Sequence, residues 1–190
     1  MRYAVGLALC LSMAALAQPF QVGGKAGDFT LADLQGATVA ISPGKGEVTV
    51  VMFISAICPM SNHYNVRIND LYRDYSAKGV KFVFINANQN EKAALVRDHA
   101  RSAGFPFPVY ADVNNVVADR FGAQSTPETF VISGDGTIRY HGRIDDSQNP
   151  ARVQHHSLRL AIDAVLAGRE VAAPETKAFG CTIKRKRKIS

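Results

Sequence analysis

The sequence predicts one mixed α/β domain whose central sheet is covered by helices on both faces. Apolar runs at residues 48–54 and 80–85 are typical of buried strands, and helix-like apolar spacing follows each of them. Gly134-Asp135-Gly136 marks a hairpin turn between two further strands. Helices that alternate with strands form layers around a sheet. Right-handed crossovers make the first two core strands parallel, whereas the hairpin is antiparallel.

The composition is that of a folded protein. Of the 190 residues, 47% are hydrophobic and 20% are charged, and no repeat or linker divides the chain. The net charge is +6, but residues 184–188 are five consecutive basic residues, so the rest of the chain is nearly neutral. This distribution argues against a nucleic-acid groove. The basic C-terminal tail, residues 184–190, is predicted to be a solvated, frayed end. The alternative is weak contact between this tail and an anionic membrane surface.

The first 17 residues have the pattern of a secretory leader. Met1-Arg2 is a basic start, residues 4–16 are apolar, and Ala15-Leu16-Ala17 is a cleavage signal. The apolar stretch is too short for a comfortable membrane span. We therefore expect a signal peptide at 1–17, a folded domain at 18–183, and a periplasmic or secreted protein.

The N-terminal half is predicted to hold a hairpin, two buried strands and two helices. Residues 28–31 and 37–41 form the hairpin around a Gln35-Gly36 turn. The first helix follows Cys58 and ends at Lys78-Gly79. Its apolar face carries Tyr64, Ile68, Leu71, Tyr72 and Tyr75. The second helix covers residues 91–103, with an N-cap at Asn88 or Asn90.

The C-terminal half is predicted to add shorter elements. Prolines before Val109 limit the next strand to two residues, and Asp112 caps a helix at 114–121. Strands at 128–132 and 137–141 precede a last helix at 151–167. His155 and His156, adjacent on this helix, would point to different faces, which favours surface residues over a metal-binding pair.

Cys58 and Cys181 are the cysteines that remain once Cys10 leaves with the leader. In an oxidising compartment they either form a disulfide or act as separate redox thiols. Pro59 suits a first helical position, which makes Cys58 the N-cap. Its sulfur would face the free N–H groups of the first turn, which favour a thiolate. The alternative is a buried structural cysteine.

Four short motifs occur in the order and spacing of one superfamily. They are residues 28–31, Cys58-Pro59-Met60-Ser61, residues 125–130 and Gly134-Asp135-Gly136. Together they resemble the thioredoxin-fold superfamily, in its redoxin branch of the alkyl hydroperoxide reductase and thiol-specific antioxidant type. The resemblance covers about residues 26–184. It implies a thiol-dependent oxidoreductase with Cys58 as nucleophile, protein thiols or disulfides as substrates, an external thiol reductant and no cofactor.

The resemblance also assigns roles to the Thr126-Pro127 pair and the residue after it. In this superfamily the proline is cis. The Thr126 backbone would then lie beside the nucleophile and add an extended substrate as a strand. Glu128 is similar to an acid that influences the thiol in cytochrome-maturation oxidoreductases. A solvated carboxylate at the strand end is the other interpretation of Glu128.

The sequence departs from the dithiol members of the superfamily at the helix itself. Ser61 stands where they have a second cysteine, and Ile57 stands where they have a tryptophan. A serine hydroxyl can hydrogen-bond a thiolate but cannot attack a mixed disulfide. Cys181 is therefore the candidate resolving thiol if it folds back to Cys58. Otherwise an external thiol completes the cycle.

Two further functions remain open. A peroxiredoxin-like peroxidase would reduce hydroperoxides through a Cys58 sulfenic acid. Ser55 fits that family's pattern, but the thiolate-pairing arginine falls at about Pro127.

The other alternative is a non-catalytic module that binds copper or a partner protein. Cys58, Met60 and His63 are soft ligands at one turn, but Asn62 stands where copper-delivery relatives have a second cysteine. We assign no metal ligands.

If the leader is removed as predicted, the exported chain begins at Gln18. Intact-mass measurement and N-terminal sequencing of protein recovered outside the cytoplasm check this. Recovery of a chain that retains residues 1–17 would contradict the cleavage site.

Overall fold

The computed structural model describes residues 20–186. The predicted leader and residues 187–190 lie outside this part. The strands are β1 (Phe29–Ala32), β2 (Thr38–Ile41), β3 (Thr49–Ile54), β4 (Lys81–Asn86), β5 (Val109–Ala111), β6 (Ser125–Thr126), β7 (Glu128–Ile132), β8 (Ile138–Gly142) and β9 (Cys181–Thr182). The helices are α1 (Pro59–His63), α2 (Asn65–Ser76), α3 (Ala93–Ser102), α4 (Val116–Phe121) and α5 (Ser157–Leu166). Between residues 20 and 186, no helix has the length and apolar character needed to cross a bilayer.

Seven strands form one mixed sheet in the order β2-β1-β5-β4-β3-β7-β8. β3 pairs in parallel with β4 and β4 with β5, while β7 pairs antiparallel with both β3 and β8. The N-terminal hairpin of β1 and β2 extends the sheet beyond β5. The predicted mixed α/β architecture is therefore confirmed.

The central strand β3 is buried on both faces because helices pack on each side of the sheet. Val50, Met52 and Ile54 belong to the core cluster that includes residues of α2 and α5. The alternate residues Val51 and Phe53 belong to the opposite cluster, which includes α4. This double burial explains why β3 appears in the sequence as a continuous apolar run.

Several predicted helix boundaries were wrong. The first helix is interrupted at Tyr64, which ends α1 and precedes α2. The second begins at Ala93 with Lys92 as its N-cap, so neither Asn88 nor Asn90 caps it. The reason is that Glu91, expected inside this helix, bonds to the loop after β3.

The last helix begins at Ser157, six residues later than predicted. Asp146 holds the preceding segment in a non-helical form, because its side chain accepts from Gln154 N–H and its N–H donates to His155 O. His155 therefore lies before the helix and His156 is its N-cap. The prediction that both histidines lie on a helix was wrong.

The short strands β6 and β9 were not predicted and form a separate two-stranded sheet. They pair antiparallel, with Ser125 opposite Thr182 and Thr126 opposite Cys181. This small sheet brings the C-terminal segment to the loop before Pro127.

Phe121 provides a test of the core on the α4 face. Its ring contacts four other phenylalanine rings, at centroid distances of 4.9–6.1 Å: Phe20, Phe29, Phe53 and Phe130. Phe121→Ala should lower the free energy of unfolding by about 3–5 kcal/mol, because it leaves a cavity among these rings. Val116→Ala on the same helix is the control, since Val116 is 60% exposed. Urea denaturation measures both, and equal effects would contradict this account of the core.

Candidate active site

Cys58 and Cys181 form a disulfide although 123 positions separate them in the sequence. Their Cα atoms lie 5.9 Å apart, inside the range of about 4.4–6.8 Å that a disulfide requires. The sequence left two possibilities for these cysteines, a bond or separate thiols. The fold joins them.

Cys58 occupies the turn between β3 and α1, as its position before Pro59 predicts. It is the N-cap of α1, and the Ser61 N–H donates to its Sγ at 3.4 Å. The same sulfur lies 3.4 Å from the Thr126 carbonyl oxygen. These two neighbours act in opposite directions once the disulfide is reduced. The N–H group favours the thiolate, whereas the carbonyl oxygen can accept a hydrogen bond only from the neutral thiol.

The two predicted serines contribute mainly to the shape of the turn. The Ser61 hydroxyl oxygen accepts from Ser55 N–H at 3.1 Å, and the Ser55 hydroxyl oxygen accepts from Cys58 N–H at 3.0 Å. Ser61 thus contacts the sulfur through its backbone N–H. Ser55 contacts the backbone of Cys58.

Glu91 is a buried carboxylate that holds this turn in place by hydrogen bonds. The sequence alone did not identify it. One carboxylate oxygen accepts from the Ser55 hydroxyl at 2.5 Å. The other accepts from Ala56 N–H and from the Asn86 side-chain amide, both at 2.7 Å. The parallel pairing of β3 with β4 offered a signal, because the carboxyl ends of parallel strands meet at one edge of a sheet. Polar residues after β4 therefore fall beside the residues after β3.

The loop facing Cys58 contains the expected cis bond between Thr126 and Pro127. Thr126 is 1% exposed, and it lies in β6 opposite Cys181 of β9. The edge that the sequence assigned to an external substrate is thus filled by the chain's own C-terminal strand. The structure brings Cys58, Thr126 and Cys181 together.

Glu128 follows the cis proline and is buried, at 3% exposure. The interpretation of Glu128 as a solvated carboxylate was therefore wrong. One oxygen accepts from Gln124 N–H and Ser125 N–H, both at 2.8 Å. The other lies 2.6 Å from His141 Nε2. Burial alone raises the pKa of Glu128, but hydrogen bonds from His141, Gln124 and Ser125 outweigh it and hold the pKa below its ordinary value.

His141 is a second residue that sequence reasoning missed. It is on β8, the strand next to β7, and its ring stacks on Phe130 with the two planes 6° apart. Its backbone N–H donates to Pro174 O, and its carbonyl accepts from Thr176 N–H. His141 thus connects the loop before β7 to the C-terminal segment.

The chain after Cys181 is fixed as far as residue 186, although a free basic tail was predicted from residue 184. Ile183 is 3% exposed and packs in the core cluster on the α4 face. Lys184 N–H donates to Asn88 Oδ1 at 2.8 Å, and its carbonyl accepts from Gln89 N–H. Arg185 forms an ion pair with Asp119 at 2.9 Å. The membrane contact of the remaining tail stays a prediction.

The copper hypothesis loses one of its three soft ligands at this turn, because the Cys58 sulfur is bonded to Cys181. In the part of the chain from 20 to 186, no group of three or more His, Cys, Asp or Glu residues is placed to hold a metal ion.

Comparison with known proteins identifies the family. Residues 22–141 match the AhpC/TSA family, so the chain belongs to that family. The thiol-disulfide oxidoreductase ResA of Bacillus thuringiensis is 27% identical over 135 residues, which are 71% of this chain and 77% of ResA.

Solved structures share the fold of this chain. An uncharacterized conserved protein from Geobacillus kaustophilus is 34% identical, with a TM-score of 0.81 over 90% of this chain and 95% of its own. A Chlorobium tepidum protein described as a DsbE thiol:disulfide interchange protein has a TM-score of 0.64 and is 24% identical. The match covers 77% of this chain and 99% of that protein, and it supports the fold alone. The predicted thioredoxin-like fold is confirmed, and the chain is a thioredoxin-type oxidoreductase.

The lowered pKa of Glu128 predicts a specific pH dependence of stability. Because the folded-state pKa lies below the unfolded value, the carboxylate stabilises the fold at neutral pH, and this contribution is lost as pH falls through the folded pKa. Glu128→Gln should therefore lower the free energy of unfolding at neutral pH, by about 1–3 kcal/mol. The difference from wild type should shrink below the ordinary value of 4.5.

Urea unfolding at a series of pH values measures this difference. Glu170→Gln is the control, because Glu170 is exposed. A difference that stays constant into the acid range would contradict the assignment.

Proposed function

We propose that this AhpC/TSA protein is an exported thiol–disulfide oxidoreductase that alternates between a Cys58–Cys181 disulfide and two thiols. The observation that carries the proposal is the bond between the N-cap cysteine and a cysteine 123 positions away. This pair takes the place of the Cys-x-x-Cys pair that Ser61 interrupts. The similarity to ResA supports protein thiols or disulfides as substrates.

In the reduced protein, the Cys58 thiolate attacks one sulfur of a substrate disulfide. A Cys58–substrate disulfide forms, and the second substrate sulfur leaves as a thiolate that takes a proton from water. The Ser61 N–H, 3.4 Å from Sγ, stabilises the attacking thiolate, since hydrogen bonds to the anionic form lower a thiol pKa.

The Cys181 thiolate then attacks the Cys58 sulfur of the mixed disulfide. This step forms the Cys58–Cys181 bond and releases the substrate's first sulfur as a thiol. The substrate has gained two electrons from the enzyme and two protons from water. An external dithiol returns two electrons to the enzyme by the reverse exchange, which closes the cycle. The bonds at Ile183 and Lys184 keep Cys181 near Cys58 between these steps.

The remaining predicted residues support this cycle by holding its two loops. Ser55 fixes the Cys58 backbone, and Glu128 fixes the backbone before Thr126. Thr126 and Pro127 line the side of the groove that contacts the reacting sulfur. No cofactor enters any step.

A peroxidase is the second candidate, because the nearby Cys181 would resolve a sulfenic acid as readily as a mixed disulfide. A hydroperoxide would convert the Cys58 thiolate to a sulfenic acid and leave as an alcohol. Cys181 would then displace water to form the same disulfide. The residue at the expected arginine position is Pro127, which provides no charge to bind the peroxide.

Substitution of each cysteine separates these functions. Cys58→Ser should abolish disulfide exchange, whereas Cys181→Ser should stop turnover and accumulate a Cys58–substrate mixed disulfide. Non-reducing peptide mapping and the exchange rate with a reduced or oxidised protein substrate measure both effects. Exchange that is unaffected by Cys58→Ser would rule out the proposal. Rapid, stoichiometric sulfenic-acid trapping at Cys58 with peroxide, without disulfide exchange, would favour the peroxidase.

A further inference from the structure

The edge of β6 already pairs with a segment of the same chain, β9. This segment indicates what kind of partner segment the edge binds. β9 lies antiparallel to β6, with Cys181 opposite Thr126 and bonded to Cys58. A substrate cysteine in a mixed disulfide with Cys58 would occupy the same place. The C-terminal strand therefore acts as an internal copy of a bound substrate segment.

The residue before Cys181 has no room for a side chain. A Cβ atom on Gly180 would lie 2.6 Å from the Thr126 carbonyl carbon, closer still to the Thr126 oxygen, and 3.2 Å from Pro127 N. Gly180 is not among the glycines with positive φ, so its backbone does not require glycine. The close approach of Thr126 and Pro127 does.

The residue two positions after Cys181 is apolar and buried. Ile183 is 3% exposed, and its N–H donates to Gln124 O at 2.9 Å. The chain around Cys181 thus contacts the edge at two points. The point at Gly180 excludes side chains, and the buried Ile183 anchors the strand beside it.

We propose that this edge selects protein partners whose reactive cysteine directly follows a glycine in an extended segment, and that such a segment binds by displacing residues 180–182. The inference rests on the proposed function and adds partner specificity to it. Small disulfides do not pair with Thr126, so the glycine rule does not apply to them.

The chain's own strand competes with the partner because it is tethered. The bonds of Lys184 to Asn88 and Gln89 keep Cys181 close, and a tethered segment has a high effective concentration. Displacement of residues 180–182 is therefore a necessary step before Cys58 meets a polypeptide partner.

The test uses the full chain with Cys181→Ser, which leaves Cys58 free. A peptide that copies residues 177–186 carries its cysteine as a disulfide with a coloured aromatic thiol. Attack by Cys58 forms the protein–peptide disulfide and releases the coloured thiolate. A second peptide has alanine in place of the glycine. The glycine peptide should react about tenfold faster, because the extra methyl group meets the Thr126 backbone.

A Gly180→Ala, Cys181→Ser double variant should react faster with the glycine peptide than Cys181→Ser alone, because its own strand no longer fits the edge. Lys177→Ala, Cys181→Ser is the matched control and should keep the slower rate. Equal rates for the two peptides would overturn the proposal, and this comparison needs only the Cys181→Ser protein.

A small aromatic disulfide distinguishes failure of this inference from failure of the proposed function. It should react with Cys58 at similar rates in all three proteins. If Cys58 does not react even with this reagent, both the proposed function and the inference fail. If it reacts but the peptides are not distinguished, the inference alone fails.

Discussion

The bond between Cys58 and Cys181 is the constraint on which the rest of the site depends. It closes a loop of 123 positions, which in the chain-entropy view stabilises the fold by about 5 kcal/mol. It also aligns β9 with β6 and brings Gly180 against Thr126. One covalent bond thus links the redox state of Cys58 to the pairing of β9 with the edge of β6.

Two buried carboxylates hold the loops on either side of this bond. Glu91 accepts hydrogen bonds from the turn before Cys58, and Glu128 accepts them from the loop before Thr126. Glu91 satisfies the buried Ala56 N–H, and Glu128 satisfies the part-buried N–H groups of Gln124 and Ser125; a buried N–H without a partner is costly. The geometry around the sulfurs therefore rests on residues that contact neither sulfur. His141 links Glu128 to the C-terminal segment through its own hydrogen bonds.

The sequence revealed features that depend on local patterns. The double burial of β3, the hairpin of β1 and β2 and the N-cap position of Cys58 all follow from residue spacing. It did not reveal β6 and β9, because two-residue strands have no periodicity and their pairing joins distant parts of the chain. Glu91 and His141 escaped notice for the same reason, since their burial results from tertiary packing. α5 starts later than predicted because Asp146 forms hydrogen bonds with the segment before it. Helix propensities do not account for such tertiary bonds.

The long separation of the two cysteines also has a consequence during biosynthesis. Cys58 is translated 123 residues before Cys181. At about 5–20 residues per second, this interval lasts roughly 6–25 s. All seven strands of the main sheet are synthesised within or before this interval, so the sheet can assemble around an unpaired Cys58. Until residue 181 emerges, the growing chain carries Cys58 without Cys181, and Cys58 can form a disulfide with any other cysteine it meets.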